Sequence, residues 1–261
     1  MAVNKIIHYS DLHLKLYKQH DRDREILEKA LEEWRNLKPD RIVFTGDLVH
    51  SKNQMTPELI NLMSWWMTET ANITKCIYLI GNHDFLENNI DRLDAITPIV
   101  ESINNENITY FKDRGCYEDE NILWCVYSLI EHNISPEIPK DSDKYKIGLF
   151  HGAIEGSTND FGFRFDSGYS VDRFKGCDVV LAGDIHKKQT FRIPGKRKAY
   201  MVGSTICQNF GESIKNHGYG VYTIDKDKYK FFELPNKQPY LNFRITDIED
   251  IEKDKEVLIN K

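Results

Sequence analysis

The chain has 261 residues, 40% of them hydrophobic, and a formal net charge of −6. That is enough for one large or two small globular domains, and it excludes a surface that attracts nucleic acid as a whole, though not a local basic patch. No apolar run reaches about 18 residues and the N-terminus lacks a signal-peptide layout, so a cytoplasmic place without membrane association is expected. Five cysteines (Cys76, Cys116, Cys125, Cys177, Cys207), odd in number and without a CxxC pair, argue against a disulfide framework and against a thiolate metal site.

Apolar runs alternate with amphipathic stretches, an α/β pattern. Strands are predicted at Lys5–Tyr9, Arg41–Thr45, Cys76–Ile80, Tyr145–Phe150 and Asp178–Ala182. A helix after the first strand places Ile26, Leu27, Ala30, Leu31, Trp34 and Leu37 on one face. A second starts with Thr56 as N-cap and Pro57 at its first position, and carries Leu59, Ile60, Leu62, Met63 and Trp66. A third is predicted from Ile90 to about Ser102. Short strands are expected between Asn107 and Val126, around a Gly/acidic turn at Arg114–Glu120. Further strands follow at Gln189–Ile193, Tyr200–Val202, Tyr219–Ile224 and Tyr229–Leu234, the last two as a hairpin around Asp225–Lys228. Residues 1–240 are taken as one domain and 241–261 as a charged tail or the start of a further segment.

Five of these strands end alike: Asp11-Leu12-His13, Gly46-Asp47, Gly81-Asn82-His83-Asp84, His151-Gly152 and Gly183-Asp184-Ile185-His186. Each motif alone is explained by turns and caps. Together they supply only metal-ligand residue types, and ligands of open α/β sheets sit beyond the carboxyl ends of strands. Imidazole mixed with oxygen donors suits manganese, iron or zinc, and Asp47 is the natural bridging carboxylate. Strict alternation would place Asp11 and His13 on one face of an extended chain, with Leu12 turned to the core, and likewise Asp184 and His186 around Ile185. The glycines are expected to let the backbone turn and substrate approach.

The order DxH, GD, GNHD, H, GxH resembles that of the calcineurin-like metallophosphoesterases over residues 1 to about 235. Within that superfamily the chain is similar to SbcD-type nuclease subunits of DNA repair and recombination complexes, through GDLVH with His50 and through Gly203–Glu212 (GSTICQNFGE). The resemblance implies a four-layer α/β fold, a mixed β-sandwich flanked by helices. It implies a two-metal DNA exo/endonuclease using manganese, with magnesium, iron or zinc as alternatives. One ion would be held by Asp11, His13, Asp47 and His186, the second by Asp47, Asn82, His151 and Asp184. His83 would face the scissile phosphate, Asp84 would orient it, and His50 would lie beside the DNA end. Asp184 stands where the family has histidine; a carboxylate Oδ reaches as far from Cβ as Nδ1, so Asp184 is expected to be a working ligand.

The stretch Lys187–Lys198 is basic without an acidic residue. Alone it is a solvated hairpin; beside His186 it offers Lys187, Lys188 and Arg192 as DNA backbone contacts. In Asp160–Tyr169 the rings of Phe161, Phe163 and Phe165 are expected to bury a strand face, with stacking on bases as the alternative. His8 is expected within a strand, and His20, His132 and His217 in surface or turn positions. Implied partners are DNA and an SbcC-type ATPase, the latter in a longer protein, with a homodimer also compatible. The chain is expected to end short of a full SbcD-type subunit. A phosphatase or nucleotide phosphodiesterase is the second reading, favoured by the acidic charge, and a metal-free scaffold like that of retromer is the third.

Overall fold

The computed structural model describes residues 2–15, 17–131 and 134–241. His132 and the tail beyond residue 241 lie outside them.

Strand β1 (Lys5–Tyr9) is buried from its second residue to its last, and β2 (Arg41–Phe44) and β3 (Cys76–Leu79) are buried throughout. Apolar side chains on both faces of a strand require cover on both sides. Helices α1 (His20–Leu37), α2 (Pro57–Ala71) and α3 (Thr97–Ile103) cover one side. A second sheet covers the other. The first sheet runs β14 (Lys228–Glu233), β13 (Gly218–Thr223), β1, β2, β3, β4 (Ile108–Phe111). The second runs β11 (Gln189–Ile193), β12 (Arg197–Met201), β10 (Val179–Gly183), β7 (Tyr145–His151), β6 (Ile122–Tyr127), β5 (Gly115–Asp119). β1 to β4 are mutually parallel, as are β6, β7, β10 and β12, while the strands at the remaining edges are antiparallel. Both sheets are therefore mixed. A two-stranded hairpin, β8 (Ser157–Thr158) and β9 (Arg164–Phe165), stands apart from them.

Alternation along each strand sorts side chains between layers. Ile6 faces the inter-sheet core with Trp124, Ile147 and Leu149, while Ile7 and Tyr9 face the helices with Trp34 and Trp66. The outer face of the second sheet is closed, among the described residues, by loops and a short 3-10 turn at Val171–Phe174 rather than by an α-helix. This makes the fourth layer. His8 is wholly buried in β1 between the Tyr229 hydroxyl and Thr45 Oγ1, and burial pushes its imidazole down to about 3, so it stays neutral.

The predicted strand bounds hold to within a residue for the five motif-bearing strands. Two expectations need correction. The third helix starts at Thr97, not Ile90, because the Asp94 carboxylate accepts from the Ile96 and Thr97 amides and Pro98 sits in the first turn. The supposed turn Arg114–Glu120 is mostly strand β5, paired with β6. Ile60 lies on the outer side of α2, 41% exposed. All five cysteines are free, and no helix among the described residues is long and apolar enough to cross a membrane.

Candidate metal centre

The carboxyl ends of β1, β2 and β3 in one sheet and of β7 and β10 in the other meet at a single point. His151 is the last residue of β7; the other candidate ligands follow their strands within a few residues. The loops pack so closely that side chains are excluded between them. A Cβ on Gly81 would lie 2.1 Å from the Asp47 amide nitrogen, and one on Gly46 (φ +99°) would lie 2.3 Å from His151 Nδ1. These glycines serve contact between ligand loops, not the approach of substrate that the sequence suggested.

Asp11 and His13 do not reach the site by extended alternation. Both adopt positive φ (53° and 44°), as do Asp47 (63°) and Asp184 (95°). Left-handed backbone at non-glycine residues is costly and persists only where its surroundings impose it. Here the segment after β1 runs alongside the segment after β2: the Asp11, His13 and Leu14 amides donate to the carbonyls of Gly46, Asp47 and Leu48.

The donors form two groups that share one oxygen. Asp47 Oδ2 lies 3.3 Å from His13 Nε2 and 3.4 Å from His151 Nε2. Around His13 stand His186 Nε2 at 3.0 Å and Asp11 Oδ1 at 3.9 Å. Around His151 Nε2 stand Asn82 Oδ1 at 3.0 Å and Asp184 Oδ1 at 3.8 Å. Asp47 Oδ1 accepts from the His83 amide at 2.9 Å, which turns Oδ2 toward both imidazoles. His151 Nδ1 faces the Thr45 carbonyl at 2.6 Å and must donate to it, so Nε2 is the nitrogen presented to the oxygens.

The electrostatics are those of a site in need of positive charge. Burial raises Asp11 to about 6 and pushes Asp184 up as well. Burial also works to raise Asp47, but the adjacent His151 outweighs it and holds the carboxyl well below its usual range. Against its own burial, His151 is raised by Asp47. His186 is likewise buried, yet its hydrogen bond to Glu212 lifts it to about 9. Carboxylate and imidazole thus favour each other's charged forms. Two divalent cations fit the same place: three carboxylates, one amide oxygen and three imidazoles face inward without a thiolate, and Asp47 Oδ2 is shared.

His83 Nδ1 donates to the His50 carbonyl at 2.7 Å, leaving Nε2 free, and its ring meets that of His13 edge-on at 4.6 Å between centroids. Asp84 does not orient His83. Its buried carboxylate accepts from the amides of Gly81, Asp47, Leu48 and Val49, and so ties the loop after β3 to the loop after β2. The exposed His50 ring stacks beside His83 at 5.8 Å.

The basic stretch does not form one face. Lys187 reaches Thr158 and Asn159 in the cleft beside His186, Lys188 lies 4.2 Å over the Phe231 ring of β14, and Arg192 is exposed on the edge strand β11. Phe161 and Phe163 are 79% and 61% exposed, against the expectation of burial; only Phe165 packs on the outer core. His217, expected in a surface or turn position, is buried and hydrogen-bonded to Ser204 and the Ser213 carbonyl.

Glu212, for which the resemblance implied no role, supports His186. Its Oε1 accepts from His186 Nδ1 at 2.7 Å, while Oε2 is held by the Gln208 amide and Ser204 Oγ. This fixes the tautomer that points the His186 Nε2 lone pair into the site. The GSTICQNFGE segment that marked the resemblance ends on Glu212, but its contact with His186, 26 residues away, is made by the fold. Glu212→Ala is expected to weaken metal binding by ~10–100-fold, whereas Glu212→Gln, whose amide oxygen still accepts, loses far less. Calorimetric titration with manganese checks this, and equal affinity for wild type and Glu212→Ala would contradict it. Lys52, also unremarked, donates to the Asn82 carbonyl at 3.0 Å.

Comparison with known proteins follows the same line. The calcineurin-like phosphoesterase family matches residues 4–188, more than half of the chain. "Uncharacterized protein R555" of Acanthamoeba polyphaga mimivirus is 32% identical over 264 residues, covering 96% of this chain; the chain spans 19% of that protein's length. Among solved structures, a dimetal phosphatase from Danio rerio superposes with a TM-score of 0.51 at 9% identity, covering 91% of this chain and all of that one, a likeness of fold. With its ligand-type strand ends gathered around Asp47 and the family match spanning them, this chain belongs to the calcineurin-like phosphoesterases.

Proposed function

We propose that the chain is a two-metal phosphodiesterase that hydrolyses DNA, the nuclease part of an SbcD-type repair or recombination assembly, with manganese as its metal; an SbcC-type ATPase would be the partner of a longer protein that contains it. The position of Asp47 Oδ2 between His13 and His151 carries the two-metal reading. Asp11, His13, Asp47 and His186 would hold one ion, and Asp47, Asn82, His151 and Asp184 the other. When bound, the ions supply Lewis acidity and neutralise charge on the phosphoryl oxygens. The chain's own part is separate. Nε2 of His83, its ring fixed by the His50 carbonyl, donates a hydrogen bond or proton to the leaving oxygen. Asp84 keeps the Asp47 segment in place through backbone amides.

The DNA substrate is supported by cations around the centre. Lys15 and Lys18 line a cleft that reaches His50, Lys52 binds the Asn82 carbonyl, and Lys187 sits beyond His186. Lysines at these points contact a polyanion on either side of a cut phosphodiester. The acidic net charge and the dimetal phosphatase fold favour the second reading, a phosphatase or small-substrate diesterase. The deciding assay gives purified protein with manganese a labelled DNA, bis(p-nitrophenyl) phosphate and p-nitrophenyl phosphate in parallel. DNA cleavage with weak monoester turnover is expected. Monoester hydrolysis without DNA cleavage would establish the phosphatase instead.

A further inference from the structure

We infer that the ring of Phe161, which lines the cleft beside the metal centre, and the exposed rings of Phe163 and Phe210 on the two loops that flank this cleft form a stacking wall for the bases of single-stranded DNA. The inference rests on the DNA phosphodiesterase reading above and goes beyond it by naming the strand state that the site takes.

Large apolar side chains at 79%, 61% and 57% exposure, close together, are uncommon on a surface that serves only to be wetted. Phe161 and Phe163 stand at the tip of the β8–β9 hairpin, and Phe210 in the loop that also carries Glu212. The hairpin tip is built, not loose. The Asn159 amide donates to the Phe163 carbonyl, its side-chain oxygen accepts from the Phe163 amide, and Gly162 turns the chain at φ +81°. The Phe163 ring rests edge-on against Phe165 at 5.0 Å. The two loops are joined as well. The Ser213 amide donates to Asp160 Oδ2 at 2.9 Å, and the Phe161 ring lies so close over Gly211 that a Cβ there would sit 2.4 Å from it. Phe210 in turn packs on Tyr240 at 4.9 Å.

Between the loops lies a cleft of about 240 Å³. It is lined by Asp184 and His186, two of the candidate ligands, by the rings of Phe161 and Phe165 and by Lys187, with Asp160 and Glu212 committed to the Ser213 amide and to His186. The cleft is thus continuous with the metal centre. An occupant that brings a phosphodiester to Asp47 and extends past His186 enters a cleft that offers both a cation, Lys187, and the ring of Phe161. Alternating phosphate and flat π-surface is the chemistry of a nucleic acid strand. Only unpaired bases can stack on protein rings, because in a duplex both faces are already covered, so the fit is to a single strand or a frayed end. Ring stacking is tolerant of sequence, since every base has a π-face.

The test uses the full chain with manganese, and fluorescence anisotropy of a labelled oligo-dT and of an abasic oligonucleotide of equal length. The abasic strand keeps the phosphates and removes the bases. Wild type is expected to bind oligo-dT about ten-fold or more tighter than the abasic strand, as base stacking on aromatic residues predicts. Phe161→Ala with Phe163→Ala should reduce that ratio toward one, and Phe161→Trp should restore or exceed it. The rings are exposed, so these variants should melt like wild type. Equal binding of the two strands by wild type, or an oligo-dT affinity untouched by the alanine pair, would overturn the stacking wall. If manganese-dependent cleavage of the oligonucleotides persists in that case, only the stacking wall falls. If wild type neither binds nor cleaves either strand, the DNA reading falls with it.

Discussion

Asp47→Ala is expected to abolish detectable binding of both metal ions, not of one. A single oxygen, Oδ2, stands 3.3 Å from His13 Nε2 and 3.4 Å from His151 Nε2, so both donor groups lose their shared charge at once. The neighbouring carboxylates Asp11 and Asp184 do not substitute. Asp11 is already engaged by the Asp184 amide through both its oxygens. Two cations that supply several kcal/mol of transition-state stabilisation are worth ~10³-fold or more in rate, and activity should fall by at least that much. Asp47→Asn separates shape from charge, because the amide can still accept from the His83 amide. It should fold as wild type and bind manganese weakly. Calorimetry would decide between the alternatives: one ion lost with the other retained at wild-type affinity would show that Asp47 belongs to a single site.

His83→Ala is expected to leave two ions bound and to lower phosphodiester turnover by ~10²–10⁴-fold, the range for a general acid or a donor to developing charge. The separation of effects follows from the ring's connections. Nδ1 is committed to the His50 carbonyl, and no ligand oxygen holds the ring. Because His50 holds His83 through its backbone, His50→Ala keeps that hydrogen bond and should cost far less than His83→Ala. Its exposed ring only stacks beside His83. The measurement is kcat on a diester alongside metal stoichiometry. His83→Ala activity within a few-fold of wild type would remove the residue from the chemistry, and a lost ion would place it among the ligands.

Much of the scaffold was legible because burial on both faces writes itself as continuous apolar runs. The runs at Lys5–Tyr9 and Cys76–Ile80 could be bounded to a residue, and the apolar spacing of α1 and the Thr56–Pro57 cap marked two helices. The third helix was placed too early because residues 90–96 include helix-compatible apolar residues, yet the Ala95 amide donates to the Asp84 carbonyl and the Ile96 amide to the Asp94 side chain. Propensity yields there to a local hydrogen bond. His217 was misplaced for a related reason: burial of a lone histidine depends on partners distant in the chain, here Ser204 and Ser213.

The candidate ligands themselves were legible from residue type and position after strands, since a metal centre needs donors and parallel strands deliver their carboxyl ends to one edge. The sequence by itself therefore determined the chemistry offered and the family that uses it. How those donors meet was decided by tertiary structure. Extended alternation would have aimed Asp11 and His13 together, yet both point inward from left-handed backbone imposed by pairing with Gly46–Leu48. The same holds for the sharing of one Asp47 oxygen, the Glu212 support of His186, the turning of Lys188 onto β14 and the exposure of Phe161 and Phe163. Each depends on atoms brought together from segments far apart in the chain. Local pattern records which face of a strand is apolar, but the partner across a loop, and the solvent left outside it, exist only once both sheets have closed on each other.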